Sequence, residues 1–151
     1  MAKKSQIEIN RDTDLLFPVF FEKLKAGLDE CREAGYAVEI FEAYRSPERQ
    51  DYLFAQGRSL PGRIVTRAKA WRSYHQYGLA VDVAFKTSKG WTWDGAFDKL
   101  VPILANQGLQ WGGQGDAGHW QLTGGLSISV CEKITSENGL LELWRKIQKG
   151  I

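Results

Sequence analysis

The chain has 151 residues, 43% hydrophobic and 25% charged, with a formal net charge of +2. Those values fit one soluble globular domain that can bury a core without cross-links, and they exclude a disordered or membrane-inserted chain. Lys3, Lys4, Arg63, Arg67, Lys69 and Arg72 are scattered rather than gathered into a stripe, which excludes a nucleic-acid binder. Two cysteines, Cys31 and Cys131, are too few for a disulfide framework and read as small buried hydrophobes. The start, Met1 to Asn10, is basic but has no apolar run behind it, so a chain made in the cytoplasm without a signal peptide is expected.

Taken in order, Asp14 to Ala34 carries Leu15, Leu16, Val19, Phe20, Leu24 and Leu28 at helical spacing and closes at Gly35. Tyr36 to Tyr44 alternates as a strand, with Val38, Ile40 and Tyr44 on one face and Glu39 and Glu42 off it. Ser46-Pro47 starts a helix, serine as N-cap and proline in the first turn, that runs to Gly57. Arg58 to Tyr77 is an irregular connection broken by Pro61 and Gly62, and long loops of this kind are often functional. Leu79 to Phe85 is a second strand. Asp94 caps a helix through Gln107, a glycine-rich turn spans Gly112 to Gly118, and a short strand covers His119 to Leu122. A final helix is predicted at about 136–149. The mixed order of elements, without regular β-α alternation, predicts an α+β fold: a single domain over 1–151, with a small antiparallel sheet flanked by helices. The six tryptophans read as core packing, with stacking on sugars as the alternative.

Only two histidines are present, His75 and His119. Seven residues separate His75 from Asp82. On one helix that would set them about 10.5 Å apart along the axis, and on one straight strand it would put them on opposite faces. A turn at Gly78 removes the conflict, with His75 coming from a loop and Asp82 from the strand that follows. Asp82 is the single charge in Leu-Ala-Val-Asp-Val-Ala-Phe, so it needs a partner or a metal if buried, or else it lies on the open face of an edge strand. With His119 these residues make a two-imidazole, one-carboxylate set of the kind that holds catalytic zinc. Asp116, three residues before His119, is free to approach water at such a site. Each of these residues also has an ordinary surface or core reading, and spacing alone leaves both open.

Ser73-x-His75-x-x-Gly78-x-Ala80-x-Asp82, followed by Asp116-x-x-His119-Trp120, resembles the signature of the zinc peptidases that cleave peptidoglycan, the D-alanyl-D-alanine carboxypeptidase family. Tyr44 to Gln50, Phe54 to Arg58 and Val65-Thr66-x-Ala68 resemble the subgroup that includes phage L-alanyl-D-glutamate endopeptidases. The resemblance runs from about Val38 to Leu122, and the tail, Leu126 to Ile151, carries none of it. It implies a fold like that of the DD-peptidases and hedgehog proteins, and zinc held by His75, Asp82 and His119. It further implies Asp116 as general base and Arg45 as the group that stabilises the reaction centre, against the alternative that Arg45 forms a structural ion pair with Glu42 or Glu48. Ser73 and Gln50 match motif positions assigned here to substrate binding. Two departures touch the rim: the segment before Asp116 is short, and Trp71 stands where a small residue is common.

The expected function is a zinc-dependent endopeptidase cutting between L-alanine and D-glutamate of the stem peptide. The alternatives are a D-Ala-D-Ala carboxypeptidase or dipeptidase, and a non-catalytic module that binds zinc or wall peptide. A monomer is expected, with no nucleic-acid partner and no membrane insertion, acting on the wall after release or non-standard export.

Overall fold

The computed structural model describes residues 3–151, so Met1 and Ala2, at the head of the segment read as lacking a signal, lie outside it. The first long helix forms because Phe20, Leu24, Leu28 and Cys31 recur at i, i+4, i+8 and i+11, placing one apolar stripe on the core. Phe20, Leu24 and Leu28 each contribute about 1.5–3 kcal/mol by leaving water. The helix begins at Pro18, four residues later than Asp14, because proline pre-sets the first turn and Asp14 is held in a bend by Asp12 Oδ1.

Six helices and five strands make up the described residues. The helices are α1 (Lys4–Ile7), α2 (Pro18–Glu33), α3 (Pro47–Ala55), α4 (Val101–Asn106), α5 (Ile128–Asn138) and α6 (Leu140–Lys149). The strands are β1 (Val38–Glu42), β2 (Ala80–Thr87), β3 (Gly90–Thr92), β4 (Gln110–Trp111) and β5 (His119–Gln121). The sheet is antiparallel in the order β1-β2-β5-β4, and β3 pairs with the far end of β2. No described helix is long and apolar enough to cross a membrane. The α+β expectation holds.

Three helix expectations are corrected. Asp94 does not cap a helix: its N–H is spent on Thr92 Oγ1 in the bend that follows β3. A single 3-10 turn (Phe97–Leu100) follows, and Pro102 sits in the first turn of α4, where its missing N–H costs nothing. The final helix, predicted at 136–149, is two: Ser127 caps α5 by accepting the N–H of Val130, and Gly139 at φ +92 breaks the chain direction before α6. Residues 4–7, not expected to be regular, form α1 against the start of α3, with Ser46 Oγ donating to Gln6 O at 2.7 Å.

Alternation along β2 sorts the sheet into two faces. Val81, Val83 and Phe85 join Val38 and Trp120 in the core beneath α2 and α4. Asp82 lies on the opposite face, opposite His119 across β5. On the other side of β2 the ladder slips: Ile40 pairs with Val83, but Glu42 rather than Phe41 pairs with Asp82. Phe41 is thus the extra residue of a β-bulge, where two residues stand opposite one. Strict alternation would send Glu42 inward with Val38 and Ile40; the bulge keeps it beside Asp82.

Candidate metal centre

Three separate backbone devices bring His75, Asp82 and His119 together. Asp82 and His119 are directly opposed across β2 and β5, so the pleat aims both side chains the same way. His75 comes from a 3-10 turn, Tyr74–Tyr77, whose serine cap is Ser73: Ser73 Oγ accepts the His75 N–H at 3.3 Å, and Gln76 Oε1 accepts the Ser73 N–H at 3.2 Å. Gly78 ends the turn at φ +70, and a Cβ there would stand 2.6 Å from Leu15 O. Only glycine satisfies both the left-handed backbone and the space, which is the reversal the spacing of His75 and Asp82 demands.

The resulting distances fit a single small cation. His75 Nε2 lies 3.5 Å and His119 Nδ1 3.7 Å from Asp82 Oδ1, and one ligand atom from each residue falls within 4.8 Å of the others. Two donors bound tetrahedrally at about 2.1 Å are separated by about 3.4 Å, close to these values. The imidazole chemistry agrees. Gln121 Oε1 lies 2.7 Å from His119 Nε2, and because an amide oxygen only accepts, Nε2 carries the proton and Nδ1 turns its lone pair to the centre. His75 Nδ1 is buried without a hydrogen-bond partner. A ring buried at that cost is held for what its Nε2 does. The donor set of two imidazoles and a carboxylate suits zinc.

Charge at the centre is balanced by a second layer. Arg45 Nη2 donates to Asp82 Oδ2 at 2.8 Å and to Glu42 Oε1 at 2.7 Å, and Arg49 Nε donates to Glu42 Oε2. Burial alone would raise the Glu42 carboxyl, but these two guanidinium groups hold it below the ordinary carboxylate range. Burial likewise opposes charge on Asp82, yet His75, His119 and Arg45 together hold it well below that range. Burial pushes His75 down, toward the neutral form a metal requires. His119 is also disfavoured as a cation by burial, but Asp82, Gln121 and Asp116 outweigh that and raise it.

The remaining predicted residues divide between the centre and its frame. Asp116 sits on a short 3-10 turn (Gln114–Asp116), two-thirds exposed, with Oδ2 3.7 Å from His119 Nδ1. Gln50 is fully buried: its amide oxygen accepts from Arg45 Nη1 and from Gln76 Nε2, both at 3.2 Å, and its nitrogen donates to Ala68 O at 2.8 Å. It therefore ties α3, the turn and the connecting loop to Arg45. The contacts of Ser73 go to the turn that carries His75. Arg45 does pair with Glu42, and in the same geometry it reaches Asp82.

Three contributors, Arg49, Gln121 and Trp93, had not been singled out, and Glu42 had been named only as a strand residue and an alternative partner of Arg45. Glu42 joins both guanidinium groups, Arg49 anchors it, Gln121 sets the His119 tautomer, and Trp93 lines the cleft. Gln121 was within reach of sequence reasoning, since residues i and i+2 of a strand share a face. The cleft around the centre has a volume of about 620 Å³, with Leu53, Gln56 and Val65 on its walls.

The model of the D-alanyl-D-alanine carboxypeptidase family matches residues 66–122, which include His75, Asp82, Asp116 and His119. The peptidoglycan L-alanyl-D-glutamate endopeptidase CwlK of Bacillus subtilis (strain 168) is 36% identical over 109 residues, which make up 65% of this chain and 65% of CwlK. The chain thus spans somewhat less than two thirds of that relative's length. Among solved structures, the Serratia marcescens L-Ala D-Glu endopeptidase ChiX superposes with a TM-score of 0.56 at 21% identity, covering 74% of this chain and 83% of ChiX. A Zn(II) complex of a D,D-pentapeptidase VanY variant gives 0.52 at 18% identity, covering 92% of this chain and 91% of that one. The structural neighbours establish the fold, and the sequence match over residues 66–122, across both histidines, Asp82 and Asp116, makes this part of the chain similar to the D-alanyl-D-alanine carboxypeptidase family.

Proposed function

We propose that the chain is a zinc-dependent peptidoglycan peptidase that cuts the stem peptide between L-alanine and D-glutamate. The observation that carries this reading is the spacing of His75, Asp82 and His119 around one point in an open cleft, with Asp116 beside it. The identity to CwlK supports the choice of bond.

His75 Nε2, Asp82 Oδ1 and His119 Nδ1 would hold the zinc. When bound, zinc supplies Lewis acidity, which acidifies water and polarises an amide carbonyl. Asp116, exposed and unencumbered, takes a proton from the attacking water and returns it to the leaving amine. Arg45 has its donors engaged by Glu42, Gln50 and Asp82, so it acts as a fixed positive charge that orients Asp82 and opposes the negative charge of the tetrahedral state. Ser73 and Gln50 position His75 and Arg45. A binding module without catalysis has no use for Asp116.

A carboxypeptidase needs a cation free to grip a terminal carboxylate. The three arginines lining the cleft are otherwise occupied: Arg45 and Arg49 on Glu42, and Arg72 with Glu132 at 3.5 Å. That favours an endopeptidase, working as a monomer of one domain on the cell wall. Metal analysis is expected to give one zinc per chain, and mass analysis of digested muropeptides a new amino terminus on D-glutamate. Full hydrolysis by metal-free protein would sink the zinc reading; release of D-alanine alone would sink the choice of bond.

A further inference from the structure

Of the six tryptophans, Trp93 alone lines the cleft. Trp120 is fully buried, and Trp71, though 41% exposed, turns toward the Tyr77 ring at 5.7 Å and away from the cleft lining. Trp93 is 51% exposed and at the same time fixed. Phe41 meets it edge-on at 5.1 Å and Phe97 stacks beside it at 6.1 Å. Its ring also lies against Gly118, where a Cβ would come within 2.8 Å of Trp93 Cζ3. Gly118 sits between Asp116 and His119, so the indole is clamped directly beside the proposed base and ligand.

An aromatic ring that is both half-open and immobilised is a prepared platform, since the entropy of ordering it is already spent. The substrate class tells what fits it. The stem peptide is built from alanine, glutamate and a diamino acid, none of which has a ring. Its one flat-faced group is the muramyl pyranose, joined through a lactyl ether to the amino group of L-alanine. That sugar begins about 7 Å from the scissile carbonyl, one residue and one short linker away. We propose that Trp93, backed by Phe41, stacks on the N-acetylmuramyl ring, so that the enzyme prefers stem peptides still attached to glycan. This inference rests on the proposed L-alanyl-D-glutamate specificity.

The test compares a muramyl tetrapeptide with the same tetrapeptide lacking sugar. Wild-type protein is expected to show a kcat/KM about three- to tenfold higher for the muramyl substrate, expressed in KM rather than kcat. Trp93→Ala is expected to bring that ratio close to one, and Trp93→Phe to give an intermediate value. Calorimetric titration with N-acetylmuramyl-L-alanine, using the Asp116→Asn protein with and without Trp93→Ala, reads the contact without turnover. Weakening by the same three- to tenfold factor supports the platform. Equal affinity in the two proteins, or equal loss on both tetrapeptides, overturns it. If D-alanine is released instead, the choice of bond falls, and the titration still decides the role of Trp93.

Discussion

Between Val38 and Leu122 lie all the side chains that line the cleft; between Leu126 and Ile151 lie none. The second region nevertheless grips the turn that carries His75. Leu126 O accepts from Tyr74 Oη at 2.8 Å, and Trp144 Nε1 donates to Tyr77 O at 2.8 Å. The Trp144 ring tilts against Phe17 at 5.6 Å and closes over Gly78. The first region works through the identity of its atoms, because a carboxylate or an imidazole has few substitutes. The tail works through shape and one or two donors, which many sequences supply.

The contrast predicts different failures on the two sides. Asp82→Ala is expected to have the largest effect, removing bound zinc and bringing hydrolysis below detection; elemental analysis that still finds one zinc per chain would break the comparison at its root. Asp116→Asn should retain zinc while kcat drops by about 10²–10⁴. Loss of metal in that variant would make Asp116 a ligand.

Glu42→Gln is expected to cost about 3–5 kcal/mol in urea unfolding, since it leaves two buried guanidinium groups short of charge. The folded carboxyl lies below its unfolded value, so its contribution is complete at neutral pH and is lost as pH falls through the depressed folded value. The variant should therefore have a flatter acid limb of stability than wild type, and identical limbs would argue against the ion-pair account.

The smallest effect belongs to the tail. Trp144→Phe keeps a ring but leaves Tyr77 O unpaired, at about 1–3 kcal/mol. Well below its melting temperature, that variant should match wild type in kcat. A proportionate fall in kcat with stability intact would show that the tail tunes the chemistry and does more than support it.

The sequence was readable where chemistry fixes residue type or where one residue enforces one backbone shape. Gly78 announced the reversal that lets His75 meet Asp82, and Ser46-Pro47 announced α3, which ends within two residues of its expected limit. The unreadable parts depend on partners distant in sequence. β3 and β4, of three and two residues, exist through pairing and carry no periodicity of their own. Asn138-Gly139 splits the tail into two helices inside a stretch whose apolar pattern looks continuous. Glu42 seemed a solvated strand residue or a local partner of Arg45, because its burial between two arginines follows from the bulge and from α3 packing beside β1.

That bulge has a consequence for how this scaffold can diversify. Phe41, the extra residue of the bulge, supplies an aromatic wall, and Glu42, the partner of Asp82, supplies an anchor for arginine. Removing Phe41 altogether would regularise the ladder and leave Glu42 where it is, opposite Asp82. A one-residue deletion would therefore strip the wall yet spare the proposed metal centre, whereas an added residue would rotate the carboxylate away from it. Strand length at this single position is a dial on the shape of the cleft that evolution, or an engineer, can turn without touching His75, Asp82 or His119.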